Sequence, residues 1–392
     1  MANGKRTVYI SACGIGLGHI GRVAAVADLL KAEGVECVFS TYGPAYDYIT
    51  SAGYKAYRSP PMMWDEYDDG SIAVASSGMK IPLYLGTFAV HLEHERRRLA
   101  SLKPDAILID SRYSTTFATG ERDAPHFFIS NQMRFLMPGW RSSRLKRWAS
   151  EKISNANYYW TRRAEEIFVP DLPPPDTISR ETMDVPEAVR KRLNYVGPVY
   201  RAKPEDFACG GNAAKELGFE GGLFVYAAVS GPGKTRGPII ETLKNTLTQF
   251  DQKSIIVKGN QSDLASEWLG GKVNVVGWTD KRCQLLKSCT VVVSRAGLST
   301  VSEIARFGKP AVLVPVPTQS EQEGIAEGMA AHGSARVIEQ HEFNPESLKA
   351  ALDDIVARHG DYERNASRLM ELAANRDGAR NIADRVLEHL RG

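Results

Sequence analysis

Short apolar runs alternate along the chain with longer stretches in which apolar side chains recur every three or four positions. The first pattern predicts buried strands and the second amphipathic helices. Residues 7–12 (TVYISA) read as a strand, 20–32 as a helix ending at Gly34, and 35–40 as a second strand. A helix over 91–102 and strands over 106–110 (AILID) and 126–130 (HFFIS) follow. Continuous apolar strands separated by helices indicate a parallel sheet covered on both faces. The rhythm breaks over 170–210, and YVGPVYRAKPED, the second part of that stretch, reads as a linker. It restarts with strands at 223–229, 254–258, 273–276, 291–294 and 311–315 and helices at 238–250 and 300–307. A helix over 345–359 and a polar stretch, 362–391, complete the chain. The fold class is therefore α/β, with units at 1–200 and 201–392, the last helix being free to pack back on the first unit.

Composition narrows the classes. A chain of 392 residues suits two domains, and 43% hydrophobic with 24% charged residues is globular. A net charge of +3 gives no ground for nucleic-acid binding. Cys13, Cys37, Cys209, Cys283 and Cys289 are scattered without a CxxC pair, which argues against disulfides or zinc and for a reducing compartment. The N-terminus runs straight into a strand, so no signal peptide is expected. No uncharged apolar run reaches the roughly 18 residues of a membrane span, so any membrane contact is peripheral. The expected location is cytoplasmic.

In such sheets ligands bind at loops leaving the carboxyl ends of strands. The first is Cys13-Gly14-Ile15-Gly16-Leu17-Gly18-His19-Ile20-Gly21-Arg22. Gly16, Gly18 and Gly21 satisfy a dinucleotide fingerprint, but strand two ends Ser40-Thr41-Tyr42 without the acid that holds a ribose. Gly16 and Gly18 are kept as ligand-binding candidates. His19 reads either as a general base at a helix start or as a helix cap. Asp110, ending AILID, reads either as the acid that orients this imidazole or as a cap of the next helix.

The strongest local pattern is Ser294-Arg295-Ala296-Gly297-Leu298-Ser299-Thr300-Val301-Ser302-Glu303. Gly297, Ser299 and Thr300 at a helix start suit a phosphate, and Glu303 one turn on suits ribose hydroxyls. Ser299 or Thr300 with Glu303 also fits a capping box. A second Gly-rich loop, Ser230-Gly231-Pro232-Gly233-Lys234-Thr235-Arg236, suits a diphosphate but lacks P-loop spacing.

SRAGLSTVSEIARFGKPAVLVPVP resembles the nucleotide-binding stretch of glycosyltransferase family 28, which includes the MurG-type N-acetylglucosaminyltransferases and galactolipid synthases. It is also similar to the donor signature of UDP-glycosyltransferases. The resemblance is close over 9–22 and 273–323 and loose elsewhere. It implies a GT-B fold, two Rossmann-like domains facing across a cleft, and an inverting transfer from a UDP-sugar to an acceptor hydroxyl without a metal ion or other cofactor. It makes His19 the base and Asp110 its paired acid. It assigns Ser230, Gly231 and Gly233 to a phosphate loop, Trp278 and Thr279 (VGWTD) to the uracil, and Gly297, Ser299 and Thr300 to the phosphate turn. Glu303 becomes the ribose acid, and Gln322 touches the donor sugar. The sequence departs from the MurG-type pattern at Ser130-Asn131-Gln132-Met133, in place of His-Glu-Gln-Asn, and at Arg22, in place of proline.

Residues 134–163 hold Arg134, Arg141, Arg144, Lys146, Arg147, Lys152, Arg162 and Arg163 against one acid, Glu151, with Phe135, Leu136, Met137, Trp140, Leu145 and Trp148 interleaved. Cations beside exposed aromatics suit an anionic membrane face and a lipid or polyprenyl-linked acceptor, and equally a phosphorylated acceptor. The alternative is a solvated helix whose apolar residues face the core. The acidic aromatic loop 62–69 lines the acceptor side or is ordinary surface. Two other functions compete: a UDP-sugar 2-epimerase of GT-B fold, and a non-catalytic nucleotide-sugar-binding subunit, against which the presence of both His19 and Asp110 speaks.

Overall fold

A computed structural model describes residues 5–61, 81–119, 124–200, 202–206, 219, 223–229, 231, 233–260, 263 and 265–391. These divide into two compact units. One holds the residues up to 200 and those from 376 onward, the other 202–375.

In the first unit the described strands are β1 (Thr7–Ala12), β2 (Glu36–Thr41), β3 (Lys55–Arg58), β4 (Ala106–Asp110), β5 (His126–Ile129), β6 (Glu166–Val169) and β7 (Leu193–Tyr195). They form a parallel sheet in the order β3-β2-β1-β4-β5-β6-β7. Its helices are α1 (Gly18–Ala32), α2 (Pro44–Ser51), α3 (Ile81–Leu102), α4 (Tyr113–Ala118), α5 (Arg144–Thr161) and α6 (Glu187–Arg190). The apolar run of β1 has a simple cause. Val8, Ile10 and Ala12 enter one core with Val23, Val26 and Leu30 of α1. Tyr9 enters the opposite core with Leu99 of α3 and Ile107 and Ile109 of β4. Neither face meets water, so no polar alternation survives. Strand order reverses between β1 and β4, the position where such sheets bind ligands.

The second unit contains β8 (Phe224–Ala228), β9 (Lys253–Val257), β10 (Ser266–Leu269), β11 (Val273–Val276), β12 (Val291–Ser294), β13 (Ala311–Leu313) and β14 (Ala335–Val337). The order is β10-β11-β9-β8-β12-β13-β14, parallel except for the antiparallel edge strand β10. Its helices are α7 (Gly233–Leu247), α8 (Arg282–Ser288), α9 (Leu298–Arg306), α10 (Ser320–Ala331), α11 (Pro345–Ala357) and α12 (His359–Ala374). Here the order reverses between β8 and β12.

The sequence suggests a polar stretch over 362–391, but the structure has two helices there: α12 and then α13 (Gly378–Arg391). Helix α13 belongs to the first unit. Its stripe Ile382, Ala383, Val386, Leu387 and Leu390 joins the β1–α1 core. Asn381 Nδ2 donates to Val196 O at 2.7 Å, and Arg385 pairs with Glu166 at 2.6 Å. No described helix is long and apolar enough to cross a membrane.

Candidate active site

β1 and β4 lie side by side with Ala12 opposite Asp110, and the Cys13 amide donates to Asp110 O at 3.1 Å. This register brings the glycine turn over the carboxyl end of β4. Gly16 takes φ +64°, a left-handed conformation that costs glycine little, and the chain then enters α1 at Gly18. His19 and Arg22 are one turn apart on α1 and converge on Asp110. His19 Nδ1 lies 2.9 Å from Asp110 Oδ1. Arg22 donates through Nη2 to Oδ1 at 2.6 Å and through Nε to Oδ2 at 2.8 Å. Asp110 is fully buried, which pushes its carboxyl pKa up. Arg22 and His19 outweigh burial and hold it well below the usual carboxylate range. With the ring in its Nδ1–H tautomer, the ionised Asp110 accepts a hydrogen bond from Nδ1 and the lone pair is on Nε2, the atom a general base uses. The His19 side chain is 24% exposed, so the ring is reachable.

The capping alternatives do not fit this geometry. The N-cap of α1 is Leu17 and that of α4 is Arg112, neither with a side-chain cap bond. The carboxylate of Asp110 is engaged by His19 and Arg22 instead. Directly after it, Ser111 takes φ +52°, an unfavourable conformation for a residue with a Cβ, and such strain gathers at ligand sites.

In the second unit the loops leaving β8, β11, β12 and β13 share one edge of the sheet, since these strands are parallel. That edge gathers Gly231 and Gly233 after β8, Trp278 and Thr279 after β11, Gly297, Ser299, Thr300 and Glu303 after β12, and Gln322 after β13. Ser230 and the loop 62–69 lie outside the described residues. Gly231 has φ +111°, a conformation that strongly favours glycine. Gly297, rather than Ser299 or Thr300, is the N-cap of α9, so the capping-box reading fails. A Cβ at Gly297 would meet nothing within 4 Å. Trp278 is exposed, and Thr279 Oγ1 accepts from the Lys281 amide at 3.1 Å.

Glu303 is buried, and its Oε1 accepts from Arg282 Nη2 at 2.7 Å. Burial raises its carboxyl pKa, and Arg282 offsets only part of the rise. Gln322 is occupied within its own loop: Oε1 accepts from the Val316 amide at 3.2 Å, and Nε2 donates to Gln319 Oε1 at 2.9 Å.

Sequence reasoning does not assign a role to Arg22 or Arg282. For Arg22 the signal is its three-residue spacing from His19. For Arg282 it is a cation opening a short helix three residues after Thr279.

The basic segment 134–163 is mixed: Leu136 is buried and Phe135 lies against Tyr113, whereas Leu145 and Trp148 are exposed. The buried side of α5 is polar: Ser150, Ser154 and Asn157 bond the backbone at Met137, Phe135 and Met133. Leu145 and Trp148 point outward, 72% and 56% exposed, while Tyr158 packs against the core and Trp160 on Phe117. Lys152 lies over Trp148, Arg141 over Trp140 and Arg162 over Tyr159 at 4.1–5.8 Å from the ring centres.

Residues 240–386 match the glycosyltransferase family 28 C-terminal domain. An uncharacterized glycosyltransferase of Methanosarcina mazei is 24% identical over 98% of this chain and 100% of its own length. A UDP-N-acetylglucosamine–N-acetylmuramyl-(pentapeptide) pyrophosphoryl-undecaprenol N-acetylglucosamine transferase of Alkaliphilus oremlandii is 29% identical over 34% of this chain and 36% of its own. The crystal structure of the kitacinnamycin glycotransferase superposes with a TM-score of 0.72 at 16% identity, covering 98% of this chain and 99% of that one. The protein is thus a transferase enzyme, a glycosyltransferase of GT-B fold.

Proposed function

We propose that the protein is an inverting transferase that moves a sugar from a UDP-sugar to a hydroxyl of a lipid-linked acceptor. The observation that carries this reading is the His19–Asp110 pair at the β1–β4 crossover, with the imidazole partly open and the carboxylate buried and ionised. His19 Nε2 takes the acceptor hydroxyl's proton as that oxygen attacks the anomeric carbon. The bond from that carbon to the diphosphate oxygen breaks, and its electron pair leaves with the nucleotide.

The nucleotide is held by the second unit. Gly231, Gly233, Ser299 and Thr300 receive the phosphates, Trp278 and Thr279 face the base, and Glu303 takes the ribose through the lone pairs Arg282 leaves open. Amides at the start of α9 offset the charge growing on the leaving diphosphate, so the reading uses no metal ion. Gln322 meets the sugar only by releasing Val316 or Gln319. Gly16 and Gly18 give His19 its turn and bring backbone close to the reacting groups.

The acceptor reading rests on α5, whose outward aromatics and cations suit an anionic membrane, and on the pyrophosphoryl-undecaprenol acceptor in the name of the Alkaliphilus relative. It implies a cytoplasmic protein at the inner membrane face, in keeping with free thiols at Cys13, Cys37, Cys283 and Cys289. The reported matches are to transferases, which leaves the epimerase and the binding-subunit readings without support.

The test is thermal stabilisation by a panel of nucleotides and UDP-sugars, since a ligand bound only by the folded state raises the midpoint. A shift with UDP and one UDP-sugar, absent in Glu303→Ala, is the expected result. No shift with any nucleotide overturns the donor reading.

A further inference from the structure

We infer that Arg282 reads the sugar of the nucleotide: with Glu303 it forms a donor–acceptor pair that takes a ribose bearing both hydroxyls and rejects deoxyribose. The inference rests on the proposed donor site. Glu303 is buried in α9, with Oε1 accepting from Arg282 Nη2 at 2.7 Å. Arg282 opens α8, and its side chain is 52% exposed. The guanidinium therefore stands between the acid and solvent, so a ligand that reaches the acid comes alongside it. A guanidinium only donates and an ionised carboxylate only accepts. One Arg282 donor goes to Glu303, and the adjacent Cys283 thiol is a weak acceptor, which leaves N–H groups for a ligand. Vicinal hydroxyls suit such a pair, because each hydroxyl both donates and accepts. One can donate to Glu303 while its neighbour accepts from Arg282.

A cation placed merely to neutralise a buried acid needs no open side, and Arg282 has one. Tyr226 of β8 lies near both groups, and burial pushes its phenol pKa up, so it adds no charge that competes for either. Removing a ribose hydroxyl leaves the acid or the guanidinium without its ligand partner, and an unpaired group is what makes a polar site reject an analogue. Water reaches the half-exposed guanidinium and offsets part of that loss. The discrimination should therefore be about tenfold rather than the roughly 10⁴-fold of closed sites.

The experiment is calorimetry of UDP, 2′-deoxy-UDP and 3′-deoxy-UDP binding to the full chain. The parent should bind UDP about tenfold more tightly than either deoxy form. In Arg282→Met, which keeps an extended side chain without its donors, that preference should shrink to about threefold for at least one analogue. A cation that only attracts the diphosphate would change all three affinities equally, so ratios unmoved in Arg282→Met overturn the inference. The effect should persist in a Glu303→Gln background; its disappearance there would mean that Arg282 acts only through the acid, and the inference would fall. Should Arg282→Met fail to fold, the same ratios in Arg282→Lys decide, since lysine keeps the charge but not the fork. A parent protein that binds UDP and both deoxy forms equally overturns the inference without any variant. Absence of UDP binding would remove the donor reading and this inference together, whereas UDP binding with unmoved ratios removes this inference alone.

Discussion

Glu303 and Arg282 form an unequal pair: a buried carboxylate bonded at 2.7 Å to a guanidinium whose side chain is 52% exposed. The acid is fixed from outside and keeps Oε2 for another partner. Replacing Glu303 with Gln keeps the shape and removes the charge. Hydrogen bonds to charged groups contribute about 1.5–3 kcal/mol, so UDP affinity should fall roughly 10- to 100-fold, as read by calorimetry. Undiminished affinity would remove Glu303 from the donor site.

The same residue has a pH signature without ligand. Burial, partly offset by Arg282, raises the folded-state pKa of Glu303. A raised carboxyl favours the folded state most below its ordinary pKa of about 4.3, and this stabilisation is lost as pH rises through the folded value. Glu303→Gln escapes that loss. At pH 7 its melting temperature should equal or exceed that of the parent, although nucleotide binding is impaired. A lower melting temperature would show that the ion pair with Arg282 dominates.

Asp110 has the opposite sign. Arg22 and His19 hold its folded-state pKa below the usual range against the upward push of burial. Its contribution is therefore complete above its ordinary pKa of about 3.9 and is lost as pH falls toward the depressed folded value. Asp110→Asn should unfold more readily than the parent at pH 7 and narrow that gap below pH 4. Denaturant midpoints at several pH values check this. A gap that stays constant would mean that Asp110 acts through packing alone.

For His19→Ala the expectation is kinetic. A positioned base contributes a factor of about 10² to 10⁴, so turnover should fall by that amount while UDP affinity, which the proposed function assigns to the second unit, should stay within about twofold. Equal turnover would end the assignment.

These sites differ in how far they show in the chain. β1 and β4 are legible because both faces are buried, so Val8, Tyr9 and Ile10 read as one run. Lys55–Arg58 and Ser266–Leu269 are edge strands with exposed, polar or charged residues, and nothing in their composition separates them from loops. α13 carries a helical stripe at 379, 382, 383, 386, 387 and 390, but Arg380, Asp384, Arg385 and Glu388 between them make the stretch look polar on average. α5 misleads in the other direction, because its hydroxyls and Asn157 face inward to bond a neighbouring loop. Arg22 and Arg282 are visible as residues, but their partners lie 88 and 21 positions away. Only the β1–β4 register and the folded placement of Arg282 beside Glu303 reveal those pairings.

The outward face of α5 gives the last prediction. A helix that buries Ser150, Ser154 and Asn157 leaves Leu145, Trp148, Ile153 and Tyr159 open to solvent. Beside it, Arg144, Lys146 and Arg147 add positive charge at the helix start, each basic residue near an anionic membrane surface contributing about 1 kcal/mol. The protein should sediment with vesicles rich in phosphatidylglycerol and much less with phosphatidylcholine vesicles. Salt should weaken the binding, since the Debye length shrinks to about 3 Å at 1 M. Trp148→Ala with Leu145→Ser should reduce sedimentation even at low salt while leaving the melting temperature unchanged, because neither side chain is buried. Equal binding by that variant would mean that charge alone holds the protein to the vesicle, and the apolar face would then need a protein partner instead.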